Sequence, residues 1–144
     1  MNNLNKLIEL NIKRAINFVD TNNKSETYGS ADRLYWSWRL KDFSNGSFQS
    51  LTYFFSELMN NSKFNNIYIE KNVDSIIDES FDASLHGTFK IQAKNGSFSE
   101  SFPGENSFCV TATVLNDIVS AINNQKNEKE LLEVYYTRLL ASYN

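Results

Sequence analysis

Proline is almost missing from this chain, with one residue in 144, and glycine is scarce at five. The scarcity of both removes the commonest helix breakers, and the abundant asparagine suits helix caps and the turns between helices. The single cysteine, Cys109, excludes an internal disulfide and a cysteine-based zinc site, and it accords with a reducing compartment. Lying between Phe108 and Val110, it is expected to be a small buried hydrophobe. The single histidine, His86, has no carboxylate or cysteine partner at a metal-ligand spacing, so no metal site is expected. Gly46 and Gly96 each stand alone rather than in a phosphate-cradling loop, and no cofactor is implied. No run approaches the ~20 apolar residues of a membrane span. Glu9, Lys13 and Arg14 interrupt the apolar pattern of the N-terminus, unlike a signal peptide, which makes a cytoplasmic location the default expectation. The net charge of −3 supplies no general attraction to nucleic acid.

Large side chains are plentiful: 14% of residues are aromatic, enough for the core of a single domain spanning residues 1–144. Their spacing is helical. Leu4, Leu7, Ile8, Ile12, Ala15, Ile16 and Val19 follow the 3.6-residue period of an amphipathic helix that stops at the polar run from Asp20. Leu51, Phe54, Phe55, Leu58 and Met59 repeat the pattern, with Ser47 as a candidate cap and a stop at Asn60-Asn61. Residues 61–66 read as a loop. Apolar residues at Val73, Ile76, Ile77, Phe81, Leu85 and Phe89 fall on one face and predict a third helix, despite Gly87 and a rival hairpin reading around Phe89-Lys90-Ile91. Val110, Val114, Ile118, Ala121 and Ile122 predict a fourth, entered through Glu105-Asn106-Ser107, and a last helix starts near Glu128 with Leu131, Leu132, Tyr135, Leu139 and Leu140 on one side. Between the first two, Leu34-Tyr35-Trp36-Ser37-Trp38 fits a short strand or a short helix equally well.

One phrase occurs twice. Asn45-Gly46-Ser47-Phe48 returns as Asn95-Gly96-Ser97-Phe98, roughly 50 residues on, each time after an apolar run. Such recurrence predicts a duplicated supersecondary unit and hence an all-α fold of antiparallel helical hairpins, with the loops Tyr28–Phe48 and Gln92–Phe108 at one end. The second copy, Gln92-Ala93-Lys94-Asn95-Gly96-Ser97-Phe98, resembles the Gln-x-x-x-Gly-x-aromatic repeat of terpenoid cyclase and prenyltransferase α/α-toroids, in which the Gln and the ring tie one hairpin to the next; the first copy has no Gln there, carrying Lys41-Asp42 instead. The stretches Tyr28-Gly29-Ser30-Ala31-Asp32-Arg33-Leu34-Tyr35-Trp36-Ser37-Trp38 and Gly96 to Ala112 are similar to the N-terminal portion of bacterial heparinase II/III-like, polysaccharide-associated proteins. That resemblance covers roughly residues 25–122. It implies a partial α/α-toroid of about two and a half repeats, completed by further repeats or by self-association, and a carbohydrate or other small-molecule ligand.

Candidate chemistry lies in the two loops. Asp32, Arg33, Tyr35, Trp36 and Trp38 combine rings that stack on pyranose faces with charged groups that hydrogen-bond hydroxyls, as sugar recognition requires. The alternative is that the Trp residues pack in the core while Asp32 and Arg33 cap or pair locally. Glu100 and Glu105 flank Pro103 and are candidates for the paired carboxylates of glycoside chemistry, with Asp42 as a third. Loop carboxylates that merely lead into a helix are the simpler reading of the same residues.

Overall fold

The computed structural model describes residues 3–60 and 73–142. Six α-helices run through them: α1 (Asn3–Ile16), α2 (Arg33–Trp36), α3 (Leu51–Asn60), α4 (Val73–Ile91), α5 (Phe108–Asn123) and α6 (Glu128–Ala141), with a 3-10 turn, Gly46–Ser50, running directly into α3. No β-strand occurs among the described residues; an isolated antiparallel bridge pairs Phe98 with Ser107. The chain is all-α, and the segment ending in Phe89-Lys90-Ile91 is helix rather than hairpin. The expected loop at residues 61–66 lies outside the described residues.

α4 is the central element. Ile77, Phe81, Leu85 and Phe89 are buried, as their spacing predicts, but so are Ser80, Ala83, Ser84, Gly87 and Thr88, which leaves Asp78, Glu79, Asp82, His86 and Lys90 as its solvent-facing stripe. The second buried face works because its residues are small and two of its three hydroxyls turn back on their own helix, while the Ser80 hydroxyl is buried without a hydrogen-bond partner among the described residues. Ser84 donates to the Phe81 carbonyl at 2.9 Å and Thr88 to the Ser84 carbonyl at 2.7 Å. α3 packs most extensively on α4 and treats its own small residues alike, with Ser56 donating to the Tyr53 carbonyl at 2.7 Å and Thr52 to the Gln49 carbonyl at 3.3 Å. α3 and its leading 3-10 turn also pack on α5, whose stripe Val110, Val114, Ile118, Ala121 and Ile122 is buried throughout as predicted. α6 closes over α5 and α4, where Tyr135 stacks on Phe89 with ring centroids 4.2 Å apart.

Several expectations are corrected. Leu4 and Leu7, placed in the buried stripe of α1, are 59% and 55% exposed; the helix seats itself through Ile8, Ile12, Ala15 and Ile16. Leu140 of α6 and Ile76 of α4 are exposed as well. Cys109 is exposed, because the first turn of α5 projects beyond the elements that cover Val110. The segment after Asp32 is one helical turn, not a strand, since the Asp32 side chain accepts from the Leu34 N–H and starts the turn. The cap before α3 is Asn45 rather than Ser47: its Oδ1 accepts from the Ser47 N–H at 2.8 Å.

The loop between α1 and α2 lies across α4 through two glycines in backbone contact. A Cβ on Gly87 would stand 2.1 Å from the Gly29 carbonyl oxygen, and one on Gly29, whose φ is +82°, 2.0 Å from the Ala83 carbonyl oxygen. Gly87, unfavourable to a helix by about 1 kcal/mol, is therefore the condition for this crossing. Gly87→Ala is expected to lower stability by more than about 2 kcal/mol despite its better helix propensity. Gly104→Ala, at φ +79° with nothing within 4 Å, is expected to cost only about 1 kcal/mol. Thermal unfolding followed by circular dichroism separates the two.

Candidate functional site

The loop from Asp20 to Asn45 is built on two carboxylates that the fold removes from water. Asp20 accepts from the Asn22 N–H at 3.1 Å and from the Thr27 hydroxyl at 2.7 Å, while backbone bonds join its N–H to the Ser30 carbonyl and its carbonyl to the Gly29 N–H. Asp32, with no exposed surface, accepts from the Leu34 N–H at 3.1 Å and the Asn45 N–H at 2.9 Å, and forms an ion pair with Lys41. The Lys41 ammonium also lies 4.9 Å from the centre of the Phe43 ring. Beneath them Ser30 and Ser44 share a hydrogen bond of 3.0 Å, and Gln49 donates to Ser44 at 3.2 Å. Asp32, expected to face a ligand, is thus the buried tie between α2 and the first Asn-Gly corner.

Around this frame the candidate residues divide. Tyr35 and Asp42 line a cleft of about 420 Å³ together with Arg39 and Lys41, whose opposite wall is formed by Asn22, Glu26 and Thr27. Arg39 has a φ of +51°, the left-handed backbone that non-glycine residues rarely adopt, and the turn is held by bonds from the Trp38 N–H to the Arg33 carbonyl at 2.9 Å and from the Leu40 N–H to the Leu34 carbonyl at 2.8 Å. No hydrogen bond or ion pair to another described residue engages the Tyr35 hydroxyl, the Arg39 guanidinium or the Asp42 carboxylate. Arg33, Trp36 and Trp38 do not line this cleft. Arg33 lies 5.5 Å from the centre of the Trp38 ring and borders a separate hollow against Leu10 and Phe18. Trp36 is half-buried and donates its indole N–H to the Phe18 carbonyl at 2.9 Å, so it anchors the loop to the end of α1.

The second loop meets the first. The Gly46 N–H donates to the Ser99 carbonyl at 2.8 Å, and a Cβ on Gly46 would approach Phe98 Cβ to 2.8 Å, so the two Asn-Gly corners touch. Each is shaped alike: Asn95, like Asn45, accepts from both the N–H and the hydroxyl of the serine two residues on. They diverge afterwards. Ser47 enters the 3-10 turn, whereas Phe98 is buried and starts a loop that returns at Ser107, the cap of α5. Gln92, in the position that Asp42 holds in the first copy, donates to the Gly96 carbonyl at 3.0 Å, the Arg138 carbonyl at 3.2 Å and the Ser142 hydroxyl at 2.7 Å, fastening the end of α4 to the end of α6.

Glu100 and Glu105 serve the loop they lie on. Glu105 accepts from the backbone N–H groups of Ser101 at 2.6 Å and Glu100 at 3.0 Å, while Glu100 accepts from the Ser107 hydroxyl at 3.3 Å. Asp42 lines a different cleft from Glu100, so the three carboxylates do not share one. No cluster of three or more metal-ligating side chains occurs among the described residues. Sequence reasoning missed Asp20, Arg39 and Lys41 in the first loop; Asp20 opens a run of small polar residues, but nothing local marks Arg39 and Lys41, which alternate with Trp38, Leu40 and Asp42.

The backbone N–H groups, Ser101 first, hold the Glu105 carboxyl below the usual carboxylate range. A lowered folded-state pKa makes the contribution of Glu105 to stability fully present above its ordinary value, about 4.3, and lost as pH falls through the folded value. Hydrogen exchange at the Glu100 and Ser101 amides is therefore expected to accelerate relative to the core when pH drops below about 4. Lys41→Met, which leaves the Asp32 carboxylate buried without its cation, is expected to cost about 3 kcal/mol in chemical denaturation. No protein-family model matches this chain, and neither a curated protein nor a solved structure matches it.

Proposed function

We propose that the chain is a glycan-binding α-helical domain, related to the toroid repeats of polysaccharide-associated proteins, with its ligand site in the cleft of Tyr35, Arg39 and Asp42. The observation that carries this reading is a set of groups held on a stiff backbone with no protein partner among the described residues. Saccharides need alternating donors and acceptors beside an aromatic surface, and Tyr35, Asn22 and Asp42 offer that set, while Arg39 suits an acidic substituent. A positive φ at Arg39 costs of order 1 kcal/mol and orients its side chain at the cleft's border.

The toroid reading draws support from Gln92, whose two hydrogen bonds to Arg138 and Ser142 join one helical hairpin to the next as the Gln of such repeats does, and from the burial of Phe98, the ring of the same motif. The prenyl-handling alternative calls for an apolar interior cavity. Clefts of about 370, 420 and 410 Å³ are each bordered instead by charged side chains, Asp74 and Lys126 in the first, Arg39 and Asp42 in the second, Lys90 and Arg138 in the third. Binding, not turnover, is the reading the carboxylates favour, since both Glu100 and Glu105 are committed to the loop.

Glycan-array binding followed by titration calorimetry tests it. Tyr35→Ala, Asp42→Ala and Arg39→Gly, the last of which retains the left-handed backbone, are each expected to weaken saccharide binding about tenfold or more with unchanged circular dichroism. Wild-type affinity in all three variants would refute the site, and a wild-type chain that captures no glycan would refute the function.

A further inference from the structure

A second surface has no role in the saccharide reading. Trp38 is 58% and Leu40 72% exposed, side by side at the tip of the turn that Arg39 bends. The turn is stiffened by its two backbone bonds to α2 and by the Arg33 guanidinium against the Trp38 ring. Arg33 connects this tip to α1 through the hollow it shares with Leu10, Arg14 and Phe18. Leu4, Leu7 and Leu10 are all exposed, so α1 shows water an apolar stripe beside cations. Charge is concentrated here too. Residues 1–41 hold seven of the 14 Lys and Arg and four of the 17 acidic residues, so this part is cationic while the chain as a whole is anionic.

A fixed tip carrying Trp and Leu, a helix with exposed leucines, and a local excess of cations match what an anionic bilayer surface attracts: indole at the headgroup level, aliphatic side chains just below it, and guanidinium groups on the phosphates. We propose that this face docks peripherally on anionic lipid, with Trp38 and Leu40 entering the interface and Arg14 and Arg33 meeting the headgroups. No helix of the described residues is long and apolar enough to cross a membrane, so the contact is lateral attachment by this face. Charge complementarity favours lipid over a second copy of the chain: Arg14 and Arg33 lie beside the exposed leucines, where an identical face would set like charges together.

Co-sedimentation with vesicles of phosphatidylcholine containing about 30% phosphatidylserine, against phosphatidylcholine alone, tests the proposal. Binding is expected on the anionic vesicles alone, to fall steeply as salt rises above about 0.1 M, and to be accompanied by a blue shift of tryptophan emission that survives Trp36→Phe. The double variant Trp38→Ser/Leu40→Ser, and separately Leu7→Ser/Leu10→Ser, are expected to weaken it about tenfold. Equal sedimentation with both vesicle types, undiminished binding by both double variants, or light scattering that shows the wild type dimerising through this face would overturn it. Because these variants leave Tyr35 and Asp42 in place, failure here is distinguishable from failure of the saccharide site.

Discussion

The buried carboxylate of Asp32 fixes the shape on which both surfaces of the loop depend. It caps a single helical turn, receives the N–H of Asn45 and holds Lys41, so three chain segments converge on one side chain without access to water. An anion in such a place is tolerable only because two N–H donors and a cation surround it. With Asp20 playing a similar part ten or so residues earlier, a stretch that has one helical turn and no strand keeps a defined path. The cleft lined by Tyr35, Arg39 and Asp42 and the tip bearing Trp38 and Leu40 are consequences of that path.

The helices were largely legible because one-sided burial leaves a periodic trace. The α5 stripe from Val110 to Ile122 is read correctly from spacing alone, and Ser107 announces its start. Legibility failed where burial is not apolar or where apolar residues are not buried. Ser80, Ser84 and Thr88 look like a solvent face yet form the close-packed side of α4, and Leu4 and Leu7 look like core yet face water. Of the loop residues, Tyr35 and Asp42 do come together at a cleft, while Asp32 and Trp36 follow the alternative reading, the one capping locally and the other turned inward to hold the loop. Gly29 and Gly87 form one contact from two positions far apart in the chain, and no local pattern pairs them.

The repeated corner shows the same division. Its local chemistry is conserved between copies down to the asparagine that binds the serine two residues on, which is a matter of three consecutive side chains. What each copy does next depends on its surroundings. Asp42 lines the cleft of its own loop, while Gln92, its counterpart, reaches the end of α6.

Because the first corner donates its Gly46 N–H to Ser99 and leaves no room for a Cβ against Phe98, the two copies complete each other. Closing that contact joins residues about fifty positions apart, an entropy cost that is recovered only when α3, α4 and α5 are already assembled. The duplicated phrase is therefore no pair of interchangeable modules. Excising or transplanting either copy would leave the other with an open flank and an unmatched hydrogen bond.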